Sequence, residues 1–159
     1  MEQPHFGLGT ILALIYIFLP ILLGWIQISY KKHSHRAKIE LFLIYYLVIG
    51  VGFSGLLSGY LHIFHPTFVS NLFGWAESPF TQQVGMASLG FAALGIGSIW
   101  LADWRSATGV GFTIFAWLAA VGRLYAGGRP SAFFWSDVLV PLAILILLGL
   151  RHRHGQKTN

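Results

Sequence analysis

The chain has 159 residues, of which 9% are Asp, Glu, Lys or Arg and 55% are hydrophobic. A soluble domain carries about 25% charged residues, so this composition excludes a water-soluble enzyme and a disordered chain. The formal charge of +5 comes from basic residues beside apolar runs, not from a nucleic-acid-binding surface, and the absence of cysteine excludes a disulfide-stapled module. We expect a single transmembrane domain over residues 1–159.

Five apolar runs follow one another along the chain, and a membrane-spanning helix needs about 20 apolar residues. They lie at residues 8–29, 39–63, 80–102, 107–126 and 133–150. The sequence therefore predicts an all-α membrane protein, a bundle of five transmembrane helices. Because no Lys or Arg precedes the first run, we expect it to be a retained span and not a cleaved signal peptide.

The segment at residues 66–79, between the second and third runs, is too short and too polar to span a membrane. It contains Phe68, Leu72 and Trp75, which suit a short interfacial or re-entrant piece at the membrane surface. The alternative is an ordinary amphipathic connector.

The distribution of basic residues predicts the orientation. With the first loop in the cytoplasm, eight basic residues lie in the inner segments: Lys31, Lys32, Arg36, Lys38, Arg105, Arg151, Arg153 and Lys157. The outer segments keep only Arg129, and Arg123 falls within the fourth span. This asymmetry predicts an N-terminus outside and a C-terminus in the cytoplasm, for a multi-pass protein of the bacterial inner membrane.

Small residues indicate where the helices pack, since helices in lipid associate through close backbone approach. Gly52, Gly55 and Gly59 form one stripe on the second span, and Gly90 belongs to a third span rich in Gly, Ala and Ser. We expect the second, third and fourth spans to form the core, with the first and fifth outside them. Besides the lipid bilayer, a second copy of the chain or a larger membrane complex is an expected partner.

Ionisable side chains inside spans are costly and mark candidate functional sites. His62 and His65 end the second span, Arg123 lies one turn before the end of the fourth, and Asp137 lies one turn into the fifth. The predicted orientation brings all of them to the outer level, where Glu77 and Gln83 also lie. The predicted ligand-binding residues are therefore His62, His65, Glu77, Gln83, Arg123 and Asp137.

Each part of this cluster has a competing interpretation. Arg123 and Asp137 would pair, either as a structural clamp or as part of a ligand site. His62 and His65 would hydrogen-bond to the outer connector or, with Glu77, hold a metal ion. A haem held by two histidines of this chain is not expected, because only one span carries histidine.

The sequence contains no catalytic or nucleotide-binding motif, and we expect no cofactor. The leading hypothesis is a non-enzymatic membrane protein whose outer-side polar pocket binds a small or lipophilic ligand, or an accessory subunit of a membrane complex. The alternatives are a proton-coupled transporter of a small solute and a metal- or quinone-linked redox protein using His62 and His65. Against transport, the inner halves of the spans have no ionisable residue except Glu40 at the edge.

Residues 74–91, GWAESPFTQQVGMASLGF, resemble the signature GWxxSPFQxEVGxANLGFG of an uncharacterised family of small bacterial membrane proteins. His65-Pro66 before this stretch and Asp137 with Pro141 after it also fit the family pattern. The resemblance implies a bundle of membrane helices but no established reaction. More distantly, the chain is similar to small four-helix membrane proteins of the DoxX type.

The chain departs from that family pattern at three points. Gln83 stands where the family has Glu, and Ser88 stands where it has Asn. The histidine usual near the outer end of the fourth span has no counterpart, and Arg123 lies close to that place. If the family site uses the Glu that Gln83 replaces here, the resemblance implies an altered or lost activity in this member.

Overall fold

The structure, a computed structural model, describes residues 6–30, 32–73, 76, 78–125 and 131–156. This part of the chain forms helices and contains no strand. In chain order the helices are α1 Phe6–Tyr30, α2 His35–Phe64, α3 Pro66–Phe73, α4 Phe80–Gly97, α5 Trp104–Tyr125 and α6 Ala132–Gln156. The all-α prediction is confirmed for these residues.

Within the described residues, four helical segments are long and apolar enough to cross a membrane. They are Gly9–Tyr30, His35–Phe64, Trp104–Tyr125 and Ala132–His154. The third predicted span corresponds to α4, which has 18 residues and carries Gln82 and Gln83 in its first turn. On length and apolar composition the structure therefore supports four of the five predicted spans.

Two helix boundaries differ from the predicted runs for visible reasons. α4 ends at Gly97, and not at residue 102, because the chain tightens there into turns that hydrogen-bond Ile99 N to Ile96 O and Trp100 N to Gly97 O. α6 continues past residue 150 to Gln156, so the basic residues that follow the fifth predicted run are also helical.

α2 lies at the centre of the bundle and is not a uniform helix. Its residues Tyr46–Phe53 form π-helical turns between two α-helical stretches, His35–Tyr45 and Ser54–Phe64. The wider turns include Gly50 and Gly52, which have no side chain to obstruct them. π-helical turns change the angle between successive side chains. The side chains of the two α-helical stretches therefore point in directions that one continuous α-helix would not give them.

The main apolar core lies between α2 and α6. It consists of buried residues from these two helices: Leu43, Tyr46, Leu47, Val51, Val140 and Ile144. The prediction that the fifth span is peripheral is therefore wrong, because α6 fills the space beside α2 with large aliphatic side chains. α4 contributes small buried residues to the bundle, Ser88 and Ala92 among them, and leaves Val84 and Met86 exposed on its other face.

α4 packs against α2 in antiparallel fashion through small residues. A Cβ atom added at Gly55 would lie 2.7 Å from Ser88 O, and one added at Gly59 would lie 3.1 Å from Gly85 O. Gly52 belongs to the same contact, since its added Cβ would lie 2.9 Å from Ile96 Cγ1. The backbones of α2 and α4 are thus as close as glycine permits.

Gly90 does not take part in this packing. A Cβ added there would meet no described atom within 4 Å, because Gly90 lies on the exposed face of α4. The helix-packing role predicted for Gly90 is therefore wrong: composition identified a helix rich in small residues but not which of its faces meets α2.

The segment predicted to be interfacial or re-entrant contains the short helix α3. It begins directly after α2 and buries Val69 and Ser70 against the rest of the chain. Its last residue, Phe73, packs edge-on against Phe133 of α6, with ring centroids 5.9 Å apart. α3 therefore covers the bundle end at which α2 and α5 finish and α6 begins.

Candidate functional site

Arg123 and Asp137 form an ion pair across the α5–α6 hairpin. Arg123 Nη2 lies 2.5 Å from Asp137 Oδ2, and the two side chains are 17% and 24% exposed. Arg123 is in the last turn of α5 and Asp137 is in the second turn of α6, so the antiparallel helices bring them to the same level. The predicted pairing is confirmed.

An aromatic ring from α3 covers this pair. The Cζ atom of Arg123 lies 4.7 Å from the centroid of the Phe73 ring, within the range of a cation–π interaction. The covering ring keeps one face of the guanidinium out of contact with water. The pair therefore lies against an apolar wall formed by Phe73 and, beside it, Phe133.

The hydrogen-bonding capacity of Arg123 is not filled by the described residues. A guanidinium carries five N–H donors, and a buried donor is normally satisfied. Within the described part of the chain, Arg123 Nε and Nη1 are buried and have no hydrogen-bond partner. Asp137 Oδ2 is also buried and has no partner in hydrogen-bond geometry among the described residues, although it is in ionic contact with Arg123 Nη2. The charges of Arg123 and Asp137 therefore balance, while N–H donors of Arg123 have no acceptor among the described residues.

His62 is buried in the last turn of α2, with 9% of its surface exposed. Its Nδ1 lies 2.8 Å from Ser58 O, and Ser58 Oγ lies 3.2 Å from Ser88 Oγ of α4. A neutral imidazole that donates from Nδ1 presents Nε2 as an acceptor. α3 follows the end of α2 that carries His62, and Phe73 of α3 contacts Arg123, so His62 lies at the same end of the bundle as the ion pair. These three residues, His62, Arg123 and Asp137, are called the Arg123 cluster below.

The other predicted ligand-binding residues are placed differently. His65 follows the last residue of α2, is exposed, and has its Nε2 3.3 Å from Tyr60 Oη. Gln83 is exposed in the first turn of α4. Glu77 lies outside the described residues. The structure thus pairs Arg123 with Asp137, buries His62 at the same end of the bundle, and places His65 and Gln83 on the surface.

A metal site at His62 and His65 finds no third ligand among the described residues. No group of three His, Cys, Asp or Glu side chains in that part of the chain could hold a metal ion. His62 bonds within its own helix to Ser58, whereas His65 faces Tyr60. The third ligand considered for this site, Glu77, lies in a part of the chain that the structure does not describe.

A second charged cluster lies at the opposite end of α2 and was not predicted as a site. Glu40 Oε2 lies 3.0 Å from Arg105 Nη1, and Glu40 Oε1 lies 2.6 Å from Arg151 Nε. One carboxylate therefore pairs with two guanidiniums, one from α5 and one from α6. These residues form the Glu40 cluster, in which no side chain is more than 23% exposed.

The arginines of the Glu40 cluster also bind neighbouring polar groups. Arg105 Nε donates to Ser98 O at 2.9 Å and Arg105 Nη2 donates to Ile99 O at 3.3 Å, so it caps the carbonyls that end α4. Arg151 Nη1 donates to Ser106 Oγ at 3.3 Å. The cluster thereby connects α2, the end of α4, α5 and α6. The available sequence signal was an acid at the edge of one apolar run and basic residues at the matching edges of two others.

Four long apolar helices, with the charges at their ends paired, define a helical membrane protein. The model of a family described as "Family of unknown function (DUF6790)" matches residues 10–157, and the chain belongs to this family. No curated protein and no solved structure matches the chain.

Proposed function

We propose that this protein is a non-enzymatic component of the bacterial inner membrane that binds a small or lipophilic ligand at the Arg123 cluster, on the outer side. The observation that carries the proposal is that two buried nitrogens of Arg123, Nε and Nη1, have no hydrogen-bond partner among the described residues. Each buried donor left without a partner costs about 1–3 kcal/mol. A ligand oxygen that accepts from them recovers this free energy.

The surroundings of Arg123 define the chemistry of the ligand. Asp137 already balances the guanidinium charge, so the ligand does not have to be a strong anion. Its polar group is an acceptor oxygen of a carbonyl, carboxyl or hydroxyl group, and His62 Nε2 offers a site that accepts a hydrogen bond in return. The rings of Phe73 and Phe133 favour an apolar body. An amphiphilic molecule supplied by the membrane fits this description.

Native mass spectrometry from mild detergent tests the proposal. Wild-type protein and Arg153→Gln, a control at an exposed arginine far from this cluster, should retain the same small molecule. Arg123→Gln should lose it, because glutamine keeps polarity but not the guanidinium donors, and the double variant Arg123→Gln/Asp137→Asn, which leaves no unpaired charge, should lose it too. Equal retention by Arg123→Gln would contradict the proposal, and a protein subunit in place of a small molecule would favour the accessory-subunit alternative.

The same purified sample tests the redox alternative at His62 and His65. An absorption spectrum with a metal or quinone band that is lost in His62→Gln would favour redox chemistry over simple ligand binding. A colourless, metal-free sample would remove that alternative.

We propose further that the chain crosses the membrane five times, with the N-terminus outside. α5 begins beside Glu40, at the start of α2, whereas α3 follows the end of α2, so the chain must return between them. α4 runs along α2 through the glycine contacts, and its 18 residues span ~27 Å. We propose also that residues 74–91 carry the family signature and that the chain is distantly related to the four-helix DoxX type. A fifth span would then be the feature that distinguishes this chain from that type.

The Glu40 cluster favours proton-coupled transport as the second candidate function. Ionisable groups lie at both ends of the α2–α5–α6 unit, and the fully buried Leu43, Leu47 and Ile144 lie between them. Such an arrangement is expected of a closed state with a hydrophobic barrier. Solute flux into liposomes that is abolished in His62→Gln but kept in His65→Gln would favour transport. The absence of flux for a range of small solutes would leave ligand binding as the better proposal.

A further inference from the structure

An open groove lies beside the first turns of α2, at the end of the bundle that carries the Glu40 cluster. It has a volume of about 460 Å³, and its polar lining includes His33, Arg36 and Glu40. Its apolar lining includes Leu41 and Ile44. The groove is therefore distant from the Arg123 cluster along α2 and has a composition of its own.

The charges around the groove favour an anion. Glu40 is the only acidic residue among those that line it, and both of its carboxylate oxygens are in ion pairs with Arg105 and Arg151. Two guanidiniums and one carboxylate leave the Glu40 cluster with a net positive charge. Arg105 and Arg151 do not line the groove themselves, but they offset the charge of Glu40, so the exposed guanidinium of Arg36 leaves the polar end of the groove positive.

The apolar part of the groove distinguishes a lipid from a free anion. Leu41 and Ile44 lie one and two turns further into α2 than Arg36 and Ala37, on the side that lines the groove. Along the helix, in the direction of the membrane interior, the lining thus changes from Arg36, through the ion-paired Glu40, to the aliphatic Leu41 and Ile44. A free phosphate would use only the basic part, whereas a phospholipid would use both.

One further polar atom, on His33, lies beside the groove. His33 Nε2 is buried and has no hydrogen-bond partner among the described residues, although the His33 side chain lines the groove. A phosphodiester oxygen accepts hydrogen bonds from imidazole and guanidinium groups. We propose that this groove binds the headgroup of an anionic phospholipid, with His33 and Arg36 at the phosphate and an acyl chain along Leu41 and Ile44.

Lipid retention by the full chain tests this inference, with phosphatidylglycerol as the probe. After titration into mild detergent, native mass spectrometry should show one phosphatidylglycerol molecule retained by wild-type protein. Arg36→Gln should bind it about fivefold more weakly, since one basic side chain near a lipid surface contributes about 1 kcal/mol. Arg36 is exposed, so this substitution should leave the thermal unfolding midpoint unchanged.

The matched control is Arg153→Gln, which removes an exposed arginine near the same end of the bundle but outside the groove lining. It should retain phosphatidylglycerol as wild-type protein does. Equal weakening by Arg36→Gln and Arg153→Gln would show diffuse attraction and overturn the groove. Phosphatidylcholine should be retained less, and inorganic phosphate at the same concentration should not displace phosphatidylglycerol. Displacement by inorganic phosphate would overturn the lipid and indicate a free anion instead.

Discussion

Asp137 neutralises a guanidinium that is largely removed from water, so its charge matters more than that of a surface residue. We expect Asp137→Asn to lower the free energy of unfolding by about 3 kcal/mol, because Arg123 is left without its counter-charge beside Phe73. Thermal or denaturant unfolding in detergent measures the loss. The double variant Arg123→Asp/Asp137→Arg should recover part of it, and a wild-type midpoint for Asp137→Asn would contradict the argument.

Glu40 holds two cations with one side chain, and its removal should cost more than the loss of either arginine pair. We expect Glu40→Gln to lower the free energy of unfolding by about 3 kcal/mol, since Arg105 and Arg151 then repel each other. The matched control is Asp103→Asn, an exposed acid near the start of α5, which should change stability by less than about 0.5 kcal/mol. Equal effects of the two substitutions would show that Glu40 acts only through net charge.

The two charged clusters differ in how far the sequence alone could predict them. Arg123 and Asp137 flank one short hairpin, so helical rise places them at the same depth without any knowledge of the fold. Glu40 and Arg105 are 65 positions apart, and their contact depends on which helices neighbour α2. The basic residues of the second cluster also had a complete explanation as signals of membrane orientation. That explanation does not require a partner, so the basic residues gave no indication of an ion pair with Glu40.

At the scale of helices, the contact between α2 and α4 depends on the absence of side chains. We expect Gly55→Leu to destabilise the protein by about 3 kcal/mol, because even its Cβ would lie 2.7 Å from Ser88 O. Gly90→Leu is the matched control: its added Cβ meets no described atom within 4 Å, and we expect a change below about 0.5 kcal/mol. Unfolding in detergent compares them, and a tolerated Gly55→Leu would mean that the two helices separate readily.

Helix positions could be predicted closely, whereas features within the helices could not. Long apolar runs predicted where α1, α2, α5 and α6 lie. In lipid the backbone N–H and C=O groups of such a run must hydrogen-bond within the protein, and a helix achieves this within one segment. The π-helical turns of Tyr46–Phe53 could not be predicted from composition, because an apolar stretch is equally compatible with α-helical turns. Beyond the end of α4 at Gly97, Arg105 binds the carbonyls of Ser98 and Ile99 from another helix, a long-range contact that local sequence does not indicate.

For the whole molecule, the number of crossings determines on which side the C-terminus lies. We expect a reporter fused after Asn159 to be active as a cytoplasmic fusion and inactive as a periplasmic one, since five crossings from an outer N-terminus end inside. A fusion placed after Ser34 should give the same result, because the proposal places both on the cytoplasmic side. A periplasmic signal at the C-terminus alone would mean that α4 does not cross, and the same signal at both places would reverse the orientation.

The arrangement of the helices was the least predictable level. Sequence patterns identified α2 as a packing helix, but they favoured α4 over α6 as its main neighbour because small residues are conspicuous. In the structure both contact α2 in different ways: α4 through backbone proximity, α6 through buried Val140 and Ile144. Both a neighbouring helix and the lipid bilayer are apolar, so the presence of an aliphatic side chain does not show which of the two it contacts.

The wide turns in the middle of α2 have a consequence for any change in the length of this helix. Glu40 and His62 belong to networks on either side of Tyr46–Phe53, and both must point inward at once. Inserting one more residue in that stretch would rotate one half against the other, so that one network survives and its counterpart is turned towards the acyl chains. Length within α2 is therefore constrained more tightly than residue identity, and engineered linkers or tags belong elsewhere in the chain.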